Sequence, residues 1–477
     1  MPNYPADQDR YDIAVVGAGP AGLAAAASAA RAGARVALID AGARPGGQYW
    51  RNRPGDTGKL HHGWRIFTAL RDELRRRADR IAHLTQHSVW HVGPGDDESM
   101  RWQVHAATPD GQRRVGASAL IIATGAYDRQ IPFPGWTLPG VYAAGAVQAL
   151  LKGNGVLAGR RFVVGGTGPF LLAVAAGLAD AGADVAGVFE AGSPAGFARA
   201  PLAVARNAAK MSEGVHYTAT MLRRRIPYHT RAAITAAHGE SQVSGVTVAK
   251  LDRNWNIIAG SENRIDCDTV AVGYGFTPQL ELALQLDCDT HLDVDGSLVA
   301  TADAGQRSSV DNVYLAGEVC GVAGAAASVT EGHIAGLHAA AAVGAHSVDA
   351  SALRRLTRQR SALRSFATAM HTTFPVASGW TTWLDDDTTV CRCEEITVGD
   401  VDDAITELGA IDARAVKLYA RPGMGMCQGR VCGYATGCLV AARADRPTSA
   451  DDLRGVARRP IAQPVPLGDL ASEDSRI

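Results

Sequence analysis

The sequence offers redox chemistry at two places. Cys391 and Cys393 form a CxC pair, and Cys427 and Cys432 form a CxxxxC pair inside the stretch GMGMCQGRVCG. Four thiolates are soft donors that suit Zn2+ or an iron–sulfur cluster. Structural zinc sites ordinarily use CxxC knuckles, and neither pair has that spacing. The glycines around the second pair allow tight turns that bring amide N–H groups to sulfur, and Arg392 and Arg430 add positive charge. Both features suit an anionic cluster. A [2Fe-2S] cluster is the expected occupant of Cys391, Cys393, Cys427 and Cys432, with zinc or free thiols as alternatives. Cys438 reads as a spectator, and the isolated Cys267, Cys288 and Cys320 as small core residues. No CxxC pair occurs, which argues against disulfide reduction by a flavin-linked thiol pair.

The other place is the front of the chain. YDIAVVGAGPAGLAAAASAARAGARVALIDAG predicts an apolar strand, a glycine turn, an alanine-rich helix and a second strand ending at Asp40. Gly17 makes the turn, Gly19 lets backbone approach a pyrophosphate, and Gly22 lets helix and strand pack closely. Pro20 and Ala21 open the helix, whose free N–H groups face the phosphates, and Asp40 accepts from a ribose hydroxyl.

Three further segments point to FAD as the dinucleotide. ALIIATGAYDR, Ala119 to Arg129, is a buried strand entering a glycine turn through Ala123, Thr124 and Gly125. DNVYLAGEVCGVAGAAASVTEGHIAG is a strand, a turn at Gly317 and Glu318, and a small-residue helix after Gly324 and Ala325. Both resemble signatures of the two-dinucleotide-domain flavoproteins related to thioredoxin reductase. That resemblance places Gly317 and Glu318 beside the ribityl and phosphate groups, and the helix after Gly324 towards the flavin ring. The wider superfamily usually has Asp at the position of Glu318. The loop PGGQYW brings Gly47, with Gln48 and Tyr49 presented either to the flavin or to solvent as an aromatic-anchored surface loop.

RRFVVGGTGPFLLAVAAGLADAGADVAGVFEAG repeats the strand, turn, helix and strand, so the fold is duplicated. Gly166, Gly168 and Glu190 correspond to Gly17, Gly19 and Asp40, but Leu171 stands where Gly22 stands. An acid at the strand end accepts the 2′-OH of NAD and repels the 2′-phosphate of NADP. Either NAD or another adenine nucleotide occupies this second fold, or the domain is structural.

The expected fold is therefore α/β, with two Rossmann-like dinucleotide-binding domains and a small C-terminal iron–sulfur helical domain. The FAD-binding domain is expected over 1–140 and 276–345, the second nucleotide domain over 141–275 and a helical linker over 346–389. The [2Fe-2S] domain follows over 390–443, and an extended tail over 444–477. The linker's basic stretch is read as a solvated helix face.

With 47 basic and 48 acidic residues the formal net charge is −1, which supplies no global field for nucleic acid or an anionic membrane. The N-terminal residues lack a basic and apolar leader pattern, and no apolar run is long enough to span a bilayer. A cytoplasmic location is expected, with any membrane association made through partners.

FAD motifs followed by CRCEEIT and GMGMCQGRVC resemble the flavoprotein subunits of heteromeric amine dehydrogenases. That family includes the flavoprotein subunits of opine oxidase and hydrogen cyanide synthase, together with the alpha subunit of D-hydroxyproline dehydrogenase. The C-terminal module is similar to bacterioferritin-associated ferredoxin. The resemblance covers nearly the whole chain and implies that the four cysteines ligate iron. It further implies an FAD-containing beta subunit that oxidises the amine, with room for a small ferredoxin-like subunit and for an FMN at a subunit interface. The chain itself offers no catalytic acid–base set, since His61, His62 and His371 are isolated. An NAD(H)-dependent flavin reductase that feeds the cluster is the alternative enzyme, and a redox-sensing or assembly subunit is the reading outside catalysis.

Overall fold

The computed structural model describes residues 10–97, 100–205, 207–345, 349–468 and 470. The expected ends of the first domain and of the tail, and the linker boundary at 346, fall outside the described residues.

Apolar strands buried on both faces build the first sheet. Its path runs Ile81–Thr85, Val36–Asp40, Arg10–Val16, Gly111–Ile122, Met100–Thr108, Ser88–Asp97, and Val313–Leu315 pairs with the end of Gly111–Ile122. Gly111–Ile122 runs antiparallel to Met100–Thr108 and parallel to Arg10–Val16, so one strand joins a hairpin layer to a nucleotide-binding layer. The register pairs Val16 with both Ile39 and Ile122, and Ile122 with Leu315. Four strand ends are thus level at one carboxyl edge, the crevice where parallel α/β sheets bind ligands.

Helices Pro20–Arg31 and Ala325–Ala342 cover this sheet. Their small residues are explained by contact: a Cβ on Gly332 would run into the carbonyl of Ala21, and one on Gly336 into that of Ala25. The second domain is a five-stranded parallel sheet in the order Tyr228–Thr230, Asp184–Glu190, Arg161–Gly166, Thr269–Gly273, Val141–Ala143. A three-stranded antiparallel sheet, Ala232–His238, Gly245–Lys250 and Asn263–Asp266, is appended to it.

The linker is helical only over Ala350–Thr373, where Asp349 caps its start. Its next turn buries Trp380 and Trp383 in the second domain's core against Trp255, with the Trp383 indole donating to the Trp255 carbonyl at 2.8 Å. The cysteine domain then forms around Val390, Val401, Val416 and Leu439. Its helices are Val398–Thr406, Ala413–Ala420 and Gly433–Arg443.

The tail differs from the extended form expected of it. Ser449 and Asp452 make a capping box that starts a helix, Ala450–Ala457. Leu453 of this helix enters the core of the first domain, and Val456 that of the cysteine domain. The tail is therefore a clamp between the two. Among the described residues no helix is long and apolar enough to cross a membrane.

Gly332→Ala is expected to force the two crossing helices apart and lower the unfolding free energy by about 1–3 kcal/mol. Urea denaturation of the FAD-free chain checks this.

Candidate functional site: a dinucleotide cradle joined to four cysteines

Three loops leave the carboxyl edge of the first sheet side by side because their first amides stay in the ladder. Gly17 donates to Ile39 O at 2.7 Å, Ala123 to Val16 O at 2.9 Å and Ala316 to Ile122 O at 3.1 Å. Gly17 has φ +103°, and a Cβ there would collide with the Ala123 carbonyl, so only glycine lets these two loops touch. A Cβ on Gly22 would strike the Gly17 carbonyl. Gly47 lies on the same turn, where its Cβ would be 2.8 Å from Gly19 Cα. Gly19, Pro20 and Ala21 begin the helix with no side-chain cap, leaving its first N–H groups without a side-chain acceptor.

Asp40 is half-buried at this edge, and burial pushes its carboxyl up to about 6 against the opposing pull of the Ala18 and Gly42 amides and Arg51. Gln48 is exposed and accepts from Arg51 at 2.7 Å, while the loop is anchored by the buried Trp50, which donates to His62 O at 3.0 Å.

The third loop, Gly317 to Gly324, is held by carboxylates. Glu318, the departure from the superfamily's Asp, accepts from Gly324 N at 2.9 Å and so fixes the start of the helix at Ala325. Glu331 is fully buried and accepts from Gly317 N at 3.0 Å. Arg364 of the linker helix reaches it with Nε at 2.7 Å and Nη2 at 2.8 Å, and also donates to Gly321 O at 2.8 Å. The linker's basic face is therefore partly turned inward. The acid in the middle of an otherwise small and apolar helix was the sequence signal for this pair.

The second glycine turn is built differently. Gly166 aligns with Glu190 and Gly273 across the sheet, as Gly17 does with the first sheet's edge. Leu171 is fully buried in the domain core, and Phe170 packs on Phe276 with ring centroids 5.2 Å apart. Glu190 is 0% exposed and turns onto its own loop, accepting from Thr167 Oγ1 at 2.7 Å, Gly168 N at 2.8 Å and Gly192 N at 2.7 Å. Burial nevertheless pushes its carboxyl up to about 7. Phe374, at the end of the linker helix, stands beside Gly192 and packs edge-on against Phe197.

Cys391 and Cys432 are buried, Cys427 is half-buried and Cys393 is exposed. Cys432 lies within hydrogen-bonding reach of Cys391 and Cys427, and Cys393 within reach of Cys427. The Gly423 amide donates to Cys391 Sγ at 3.4 Å, an amide-to-sulfur contact of the kind the glycines predicted. Cys432 precedes helix Gly433–Arg443, whose positive end therefore faces the thiols. Among the described residues no three His, Cys, Asp or Glu side chains converge on one ion-sized point. Pairwise approach of four thiols fits a cluster whose ligands are shared between two irons.

Residues missed by the sequence reading connect the two places. Directly after Gly125, residues Ala126–Asp128 pair with Phe276–Pro278. Tyr127 accepts from Arg430 Nε at 2.8 Å, and the same Nε lies 2.7 Å from Glu281 Oε1. Buried Arg129 donates to Asp295 Oδ2 at 2.8 Å and lies 4.3 Å over the ring of Tyr434. The charge of Arg430 is thus paired rather than free. Cys438 lies near Tyr434, and His371 Nε2 is 2.7 Å from Val322 O.

A glycine cradle on a two-domain dinucleotide fold, followed by a four-thiol module, defines an FAD-dependent oxidoreductase with an iron–sulfur domain. The profile of the pyridine nucleotide-disulphide oxidoreductase family matches residues 11–344, and that of the BFD-like [2Fe-2S] binding domain matches 389–441. The chain belongs to the first family and carries the second domain, which identifies FAD and [2Fe-2S] as its cofactors. It is 33% identical over 463 residues to the HcnB subunit of hydrogen cyanide synthase from Pseudomonas aeruginosa, covering 95% of this chain and 97% of that one. The corresponding flavoprotein subunit of opine oxidase from Rhizobium meliloti is 32% identical over 474 residues, covering 97% and 87%. The chain belongs with these oxidoreductase subunits. The crystal structure of L-proline dehydrogenase from P. horikoshii shares the fold, with a TM-score of 0.68 at 20% identity over 97% of this chain and 79% of that one.

Glu190 supplies a pH test. The folded chain keeps this proton to about pH 7, whereas an ordinary glutamate loses it near 4.5, so the folded state binds more protons in that window. Stability is expected to fall as pH rises through it, by up to about 3 kcal/mol. Glu190→Gln is expected to flatten the fall, checked by urea denaturation at about pH 5 and about pH 8.

Proposed function

We propose that this chain is the electron-transferring component of a hetero-oligomeric amino-acid or opine dehydrogenase whose substrate is a secondary amine of the hydroxyproline type. An FAD-containing partner oxidises the amine, and this chain relays the electrons to an acceptor. Bound here, FAD would supply two-electron chemistry and the cluster one-electron transfer. The observation that carries the proposal is the bridge between Gly125 and the Cys427–Cys432 loop through Tyr127 and Arg430. A flavin site and a cluster site fastened together in one chain suit a relay.

In this reading FAD is held by Gly17, Gly19, Pro20, Ala21, Gly22, Asp40, Gly47, Gln48, Ala123, Thr124, Gly125, Gly317, Glu318, Gly324 and Ala325. The irons are held by Cys391, Cys393, Cys427 and Cys432. The domain boundaries are those drawn from the sequence, except that the tail carries the clamp helix Ala450–Ala457. Both relatives are named as subunits, which supports a partner. A nicotinamide donor at Gly166, Gly168 and Glu190 would require Glu190 to leave three internal hydrogen-bond donors. That cost favours the partner, rather than NADH, as the source of electrons.

Anaerobically purified protein is expected to contain about two irons and one FAD per chain and to give a reduced-state EPR signal after dithionite. Cys432→Ala is expected to lose the iron and retain the FAD. NADH alone is expected to leave the flavin oxidised, whereas an amine substrate reduces it only in the presence of the partner. Zinc without iron, or rapid bleaching by NADH, overturns the proposal.

A further inference from the structure

The ribbon that leaves the FAD loop is tied to the cysteine loop at two points. Thr124 Oγ1 donates to Gln279 O and Gln279 N to Gly125 O, both at 2.9 Å, so the ribbon is rigidly continuous with the dinucleotide loop. Two residues later Tyr127 meets Arg430, which stands between Cys427 and Cys432 in sequence. Arg430 is engaged on every side. Its Nε contacts Tyr127 Oη at 2.8 Å and Glu281 Oε1 at 2.7 Å, its Nη1 donates to Cys427 O at 3.1 Å, and its Nη2 donates to Ala462 O in the tail. Its side chain is 11% exposed and that of Glu281 12%, so the pair is shielded from water.

A guanidinium suits this role because it offers several donors in one rigid plane, which a lysine ammonium does not. The second tie, Arg129 against Asp295 and Tyr434, fastens the residue two positions beyond Cys432. The cysteine loop cannot shift relative to the FAD loop without breaking buried charge-assisted bonds.

Resting on the electron-transfer reading above, we infer that Arg430, seated on Tyr127 and Glu281, is the positioning residue that sets the separation of flavin and cluster. It sets the cluster's electrostatic surroundings as well. The step it serves moves one electron from reduced FAD into the oxidised cluster, which the acceptor then reoxidises. Arg430 itself gains and loses nothing in that step.

The test uses the full chain loaded with FAD and iron, with the flavin reduced by a flash-generated deazaflavin radical. Electron arrival at the cluster is followed by absorbance, and the cluster potential is measured by EPR titration. Arg430→Gln is expected to slow arrival by about ten- to hundredfold and to shift the potential. Arg430→Lys is expected to restore the potential more fully than the rate. Tyr127→Phe removes only the hydroxyl, keeps the ring, and is expected to slow arrival to a smaller extent. If Arg430→Gln loses iron, Tyr127→Phe carries the decision. Wild-type rate and potential in variants holding full FAD and iron overturn the inference. Absence of iron from the wild-type chain overturns instead the electron-transfer reading.

Discussion

One buried carboxylate decides how the halves of this chain meet. Glu331 has no access to water and sits in a helix of small apolar residues, so its charge requires compensation within the protein. The compensation comes from Gly317 N on the dinucleotide loop and from Arg364 on the linker helix. Pairing therefore draws the linker against the loop it shapes. From there the linker's end reaches the second domain through Phe374, and Trp380 and Trp383 enter that domain's core before the first cysteine. The position of the cysteine domain follows from a charge that lies outside it.

The two dinucleotide folds share their topology and differ in what they leave available. In the first, Gly22 keeps the helix tight on its strand, and Asp40 remains half-buried at the sheet edge. In the second, Leu171 fills the core where that glycine would be, and the longer Glu190 reaches back to its own loop amides. One added methylene changes an acid that faces a ligand crevice into one that completes a hydrogen-bond network. The duplicated domain still contributes its sheet, and through Trp136, which donates to Thr389 O at 2.7 Å, it supports the strand leading into Cys391.

The cysteine domain is too small to rest on its own core alone. Its hydrophobic centre is a short set of valines, alanines and a leucine, and the tail helix adds Val456 to it while sending Leu453 into the first domain. The tail then donates from Ala462 to Trp90 O at 2.6 Å, and Pro460 accepts from Gln285 at 2.7 Å. The module is held between two larger bodies, with Cys391 and Cys432 inward and Cys393 outward. Such an arrangement gives a cluster one face towards the flavin domain and one towards solvent.

The strand–glycine–helix pattern, its repetition and the CxC and CxxxxC pairs were legible in the sequence because each depends on local spacing. Gly17, Gly19 and Gly22 declare a turn by their separation alone, and Cys391 to Cys432 declare soft-metal chemistry by their type. What the sequence could not show is which polar side chains meet across hundreds of residues. Arg364 with Glu331, Arg430 with Tyr127 and Glu281, and Arg129 with Tyr434 are each ordinary in their own segments. The tail's helix is local, signalled by Ser449 and Asp452, yet its role as a clamp depends on two distant cores. Composition and spacing determined the cofactor chemistry; tertiary structure decided the path between the cofactor sites, because burial turns scattered charges into obligatory partners.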